Sequence, residues 1–74
     1  LQLLLKSKKL GKRIKEIRKK NGMTQEEFAR SLGYTSKSTI NKIEEGINEM
    51  SFEKLMLLIK TYSLSLSDIM DEEK

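Results

Sequence analysis

Lys37, Ser38, Asn41 and Lys42 fall at i, i+1, i+4 and i+5, a spacing that gathers four polar side chains on one face of a helix. Two are cations, one is a hydroxyl, and one is an amide that both donates and accepts hydrogen bonds. Such a face can recognise an anionic or hydrogen-bonding partner. It holds no nucleophile–base pair, and none stands out in the rest of the chain. There is no His and no Cys in the 74 residues, so the commonest general base, the commonest metal ligand and any thiolate site are missing. Zinc fingers are excluded on that ground. An enzyme would have to work with carboxylates, lysines or hydroxyls alone. The expectation is a recognition protein, not an enzyme, with no cofactor and no metal.

The elements that must position this face are short helices. Leu10, Ile14 and Ile17 recur at helical spacing, and Asn21-Gly22 stops that first helix. Thr24 stands three residues before Glu27, the spacing of a capping box, and opens a second helix with Phe28, Ala29 and Leu32 inward. Gly33 ends it, and Tyr34-Thr35-Ser36 turns the chain into a third helix, 37–45, capped by Ser36 or Thr35 and anchored by Ile40 and Ile43. Gly46 ends the third helix. Ser51 caps a fourth, with Phe52, Leu55, Leu58 and Ile59 as its core stripe. Ser63 to Ser65 breaks the pattern, and Ser65 or Ser67 caps a short fifth helix carrying Leu66, Ile69 and Met70. Met23, Met50, Met56 and Met70 are expected as core filler. No segment has strand period, and no repeat or linker divides the chain. The fold class is all-α, a compact bundle of five short helices in one domain spanning 1–74.

Charge says more by its distribution than by its sum. The net charge is +4, but residues 6–20 hold nine basic residues and one acid, a local +8 that leaves −4 for the rest. A basic block this dense suits an anionic partner such as nucleic acid or a lipid surface; a solvated helix face is the plain alternative. No apolar run approaches the roughly 18 residues that a membrane span needs. The absence of Cys fits a reducing compartment, so a cytoplasmic location is expected. The chain opens on Leu1 to Leu5 without an initiator Met, which reads as a processed, tagged or excised start. Residues 1–6 and 71–74 are expected to be flexible.

The informative stretch is Thr24 to Gly46. Two short helices joined by a tight turn with Gly form a helix-turn-helix pattern. Ala29 faces the crossing point, where a larger side chain would hold the helices apart. The run LGKRIKEIRKKNGMTQEEFARSLGYTSKSTINKIEEG, followed by SFEKLMLLIKTYSLSLSDIM, resembles the XRE-type helix-turn-helix family, which includes phage repressors and Cro-like proteins. The resemblance covers about Leu10 to Met70 and rests on several spaced elements together.

That resemblance implies a lambda repressor-like five-helix bundle whose third helix enters the major groove of double-stranded DNA, usually as a dimer on a pseudo-palindrome. It puts Lys37, Ser38 and Lys42 at base-reading positions, with Asn41 on the same face and able to pair with adenine N6 and N7. Gln25 matches a phosphate-contacting Gln, and Thr39 and Asn48 are expected to face phosphate. Arg18 and Glu44 match an ion pair that ties helix one to the end of helix three. Two departures stand out. The turn has one extra residue between Gly33 and Ile40, and the loop Ile47-Asn48-Glu49-Met50 lacks the family's Lys/Arg and Pro, which leaves Asn48 and backbone amides for phosphate. A homodimer is expected through Leu64, Leu66, Ile69 and Met70. The implied function is a repressor-like transcriptional regulator that reads DNA sequence. The alternative is a protein-interaction module of the same fold that has lost DNA binding.

Overall fold

The computed structural model describes residues 7–69. Five helices follow in order: α1 (Lys8–Lys20), α2 (Gln25–Ser31), α3 (Lys37–Glu44), α4 (Phe52–Thr61) and α5 (Leu66–Ile69). There is no strand among the described residues. The expectations for residues 1–6, Met70 and 71–74 lie outside them.

Each start has a local cause. The Ser7, Ser36 and Ser51 hydroxyls accept from backbone N–H groups two or three residues on, at 3.0, 3.1 and 3.1 Å. At α2 the capping box is complete: Thr24 Oγ1 accepts from Glu27 N (3.1 Å) and Glu27 Oε1 accepts from Thr24 N (2.9 Å). At α5 the Asp68 carboxylate accepts from Ser65 N at 2.8 Å. The Ser65 backbone N–H, and then its side chain, hold the Asp68 carboxyl below the usual range.

The four longer helices end in one way. An N–H just past the end donates back to a carbonyl five residues earlier: Met23 to Arg18, Tyr34 to Ala29, Ile47 to Lys42 and Leu64 to Ile59, at 2.8–3.2 Å. This closure needs a left-handed residue before the donor. Gly22, Gly33 and Gly46 supply it with φ of 66°, 80° and 79°, and Ser63 supplies it with φ 55°. Ser63 is the residue that the broken pattern after α4 signals. At Gly33 a side chain would also meet Lys54 Nζ at 2.8 Å.

The helices share one core. Leu10, Ile14 and Ile17 of α1, Phe28 and Ala29 of α2 with Leu32 at its end, Ile40 and Ile43 of α3, Met50 in the loop before α4, Leu55 and Leu58 of α4, and Ile69 of α5 are all buried. The α2–α3 pair packs together, and α1 lies against α3 and α5. Gly11 sets the α1–α3 distance: a Cβ there would stand 2.3 Å from the Glu44 carbonyl oxygen and 2.5 Å from that of Ile43. Lys54 ties α4 to α2, donating to the Leu32 carbonyl at 2.7 Å with its ammonium 5.0 Å from the Tyr34 ring centre. Burial pushes the Tyr34 phenol up from its ordinary value. Tyr62 stacks obliquely on Phe28, ring centres 5.3 Å apart, and hydrogen-bonds Ser31 Oγ at 2.5 Å.

Three expectations need correction. Phe52 is not core; it is 58% exposed, and Met56, expected as filler, is 45% exposed. At 100° per residue, Leu55, Leu58 and Tyr62 form the inward stripe of α4, and Phe52 and Met56 form the next stripe round. The surplus of apolar residues at the C-terminal end is also smaller than expected. Ile69 is buried in the chain's own core and Leu64 packs against it, which leaves Leu66 exposed.

Candidate nucleic-acid interface

The outer surface of α3 carries Lys37, Ser38 and Lys42, all exposed, with Asn41 half-buried on its α2 side and Thr39 half-buried on the opposite flank. The inward stripe of Ile40 and Ile43, both buried, is what turns those residues out. Ser38 is partly engaged at the helix start, where its hydroxyl lies 2.8 Å from Ser36 Oγ. Asn48 is exposed in the loop after α3. The backbone amides of Ile47 and Asn48 both point at the Lys42 carbonyl, at 2.8 and 3.2 Å. They close the end of α3, so the loop amides expected to meet phosphate are already engaged.

What holds α3 in place is a polar hub. Arg18 Nε donates to Glu44 Oε2 at 2.6 Å and Arg18 Nη2 to Glu44 Oε1 at 3.3 Å. Arg18 Nη1 donates to the Met23 carbonyl at 3.0 Å. Gln25 Nε2 donates to Glu44 Oε1 and to Asn41 Oδ1, both at 3.1 Å. Both ionic residues are buried, 9% and 8% exposed, and among the described residues no buried side-chain polar atom lacks a partner. A buried pair in this state fixes geometry more surely than it adds net stability. The hub joins α1, the 21–24 connection, α2 and α3, so the angle of α3 is set from three sides.

The hub places two of the residues named from the sequence. Gln25, expected at a phosphate, has both Nε2 hydrogens engaged inside the protein. They go to Glu44 Oε1 and Asn41 Oδ1. Arg18 is buried in the ion pair with Glu44 expected of it, and so stands apart from the basic surface of α1. That surface is formed by Lys8, Lys9, Lys12, Lys15, Lys19 and Lys20, all exposed, while Arg13 pairs with Glu16 at 3.2 Å. Gly11 is the positioning residue the sequence reading passed over. Its signal was a glycine inside a helical stripe, which marks a close backbone approach.

No helix among the described residues is long and apolar enough to cross a membrane. A helix-turn-helix family model matches residues 14–69. The chain is 35% identical over 65 residues to antitoxin PezA of Streptococcus pneumoniae serotype 4, covering 88% of this chain and 40% of PezA. It is 39% identical over 62 residues to the HTH-type transcriptional regulator PuuR of Escherichia coli K12, covering 84% of this chain and 33% of PuuR. It therefore spans less than half the length of either relative. Among solved structures, the clp gene regulator ClgR of C. glutamicum superposes with a TM-score of 0.76 at 26% identity, covering 95% of this chain and 88% of that one. The restriction-modification controller protein C.AhdI of Aeromonas hydrophila shares the fold, with a TM-score of 0.72 at 24% identity over 82% of this chain and 91% of that one. With the model spanning both helices of the motif and most of the chain, the protein belongs to the XRE-type helix-turn-helix family, whose members are DNA-binding transcriptional regulators and not enzymes.

Proposed function

We propose that the chain reads double-stranded DNA by placing α3 in the major groove and acts there as a repressor-like regulator. The observation that carries this reading is the outward polar face of α3, held rigidly by the Arg18–Glu44 hub. Lys37, Ser38, Asn41 and Lys42 face the base edges. Thr39 and Asn48 lie toward the phosphates, and Gln25 holds Asn41 instead of gripping a phosphate. The lysines of α1 draw DNA in at long range, which makes affinity strongly salt-dependent. A regulator of this kind works in the cytoplasm of a prokaryote or of a phage host.

We further propose that it binds as a homodimer on a two-fold site. The associating surface is revised from the original set. Leu66 stays in it at 48% exposed, and Phe52 and Met56 of α4 join it at 58% and 45%. Leu64 and Ile69 leave it, because the protomer's own core holds them.

Gel shifts on a random duplex pool across a salt series test the whole reading. The logarithm of affinity should fall linearly with the logarithm of salt concentration, and Lys37→Ala and Lys42→Ala should each reduce the slope by about 1. A chain that shifts no DNA at low salt is the protein-interaction module instead.

A further inference from the structure

The hydrogen bonds from Arg18 through Glu44 and Gln25 to Asn41 have a direction. Carboxylate oxygens only accept. Both oxygens of Glu44 are occupied, Oε2 by Arg18 Nε and Oε1 by Arg18 Nη2 and Gln25 Nε2. The end that Gln25 turns to Glu44 is therefore its NH2 and not its carbonyl. A side-chain amide that is free to turn over has two near-equivalent ends; this one is fixed by an acceptor-only neighbour. The same NH2 points its second hydrogen at Asn41, 3.1 Å away. The atom Asn41 offers in return must be its carbonyl, Oδ1. Its Nδ2, with two hydrogens, is left as the group available to a ligand.

We propose that Asn41 reads DNA chiefly as a donor, with its polarity set inside the protein by the Arg18–Glu44–Gln25 chain, and that it selects guanine. The major-groove edge of guanine carries two adjacent acceptors, N7 and O6, which match an amide NH2. Adenine is the base a free Asn pairs with, through N6 and N7. That pairing needs the Asn carbonyl as acceptor, and here Oδ1 is turned toward α2 with one of its two acceptor sites taken by Gln25. Cytosine offers a donor in the same place and is disfavoured outright. The inference rests on α3 being the groove-reading helix, and it inverts the base preference expected of Asn41 from residue type alone.

The experiment pairs motif selection from a random duplex pool with side-chain amide NMR of the free protein. Asn41→Ala identifies the base position that Asn41 reads, as the one it flattens. In the wild type that position should be guanine. Gln25→Met removes both donors at similar length and leaves both Arg18 bonds to Glu44 in place, so the fold is retained. It frees Asn41 to turn over, and the guanine-to-adenine ratio at that position should fall roughly tenfold. In the free wild-type protein, the Gln25 Nε2 hydrogens should exchange slowly with water and those of Asn41 Nδ2 quickly. Adenine at the Asn41 position, or a guanine preference unchanged in Gln25→Met, overturns the inference while leaving DNA reading by α3 intact. A wild type that selects no motif overturns both, and the amide exchange pattern then shows whether the internal polarity chain was present.

Discussion

Residues 7–46 and residues 50–69 are held together by different means. In the first stretch a buried polar network is added to the apolar core. Arg18, Met23, Gln25, Asn41 and Glu44 form one connected hub, and Gly11 lets α1 touch the carbonyls at the end of α3. In the second stretch the attachment is mostly apolar, through Met50, Leu55, Leu58 and Ile69, with Lys54 and the Tyr62–Ser31 hydrogen bond as its polar ties to α2. The first stretch leaves a polar face outside. The second leaves Phe52, Met56, Leu57 and Leu66 outside, each 37–58% exposed. The difference separates two jobs. A surface that must discriminate needs its donors and acceptors fixed before the partner arrives. A surface that only has to associate can rely on non-directional burial of apolar area.

The largest expected effect comes from cutting the polar half. Arg18→Ala leaves Glu44 buried without its cation, and thermal or urea unfolding should show a loss of about 3–5 kcal/mol. A loss below about 1 kcal/mol would mean that the hub does not hold α3. Next comes Gly11→Ala. Its methyl meets two backbone carbonyls that have no rotamer to give way, so α1 and α3 must part, at about 1–3 kcal/mol. Alanine's better helix propensity offsets up to about 1 kcal/mol of that, and a net stabilisation would show that the contact is loose. The smallest effect on stability belongs to the apolar half. The double variant Phe52→Ser, Met56→Ser should cost protomer stability only about 1 kcal/mol, because neither side chain belongs to the buried core. Sedimentation should nevertheless move it toward monomer. If the double variant associates as the parent does, the surface for the second copy lies elsewhere.

The caps, the glycine endings and the inward stripes of α1, α2 and α3 were legible in the sequence because each is a local pattern with a local cause. Thr24 with Glu27, and Gly33 before Tyr34, need nothing from the rest of the chain. The face of α4 was less legible. Phe52, Leu55, Leu58 and Ile59 fit one helical stripe by spacing, but the direction of the core is decided by Tyr62 meeting Phe28 and Ile69 meeting α1. The Gln25–Asn41 bond was not legible at all. It joins residues sixteen apart on two helices, and only the packing of α2 on α3 brings them within 3.1 Å. Type and spacing named the residues of the α3 face, but which atom Asn41 turns outward depends on that packing.

The four-residue helix α5 closes the chain on itself through a single buried anchor, Ile69. The joint before it is Ser63, a non-glycine residue in the left-handed region, a conformation that costs about 1 kcal/mol. Little free energy should therefore separate the docked α5 from an undocked one, and hydrogen exchange in this segment is expected to proceed by local opening, below the free energy of global unfolding. Such an opening exposes the side of α1 around Ile17 and the turn at Tyr62 to Leu64, which line one groove with Asp68. It leaves the hub between residues 18 and 44 untouched. An opening confined to residues 63–69 should therefore leave the Arg18–Glu44 contacts, and with them the outward face of α3, in place.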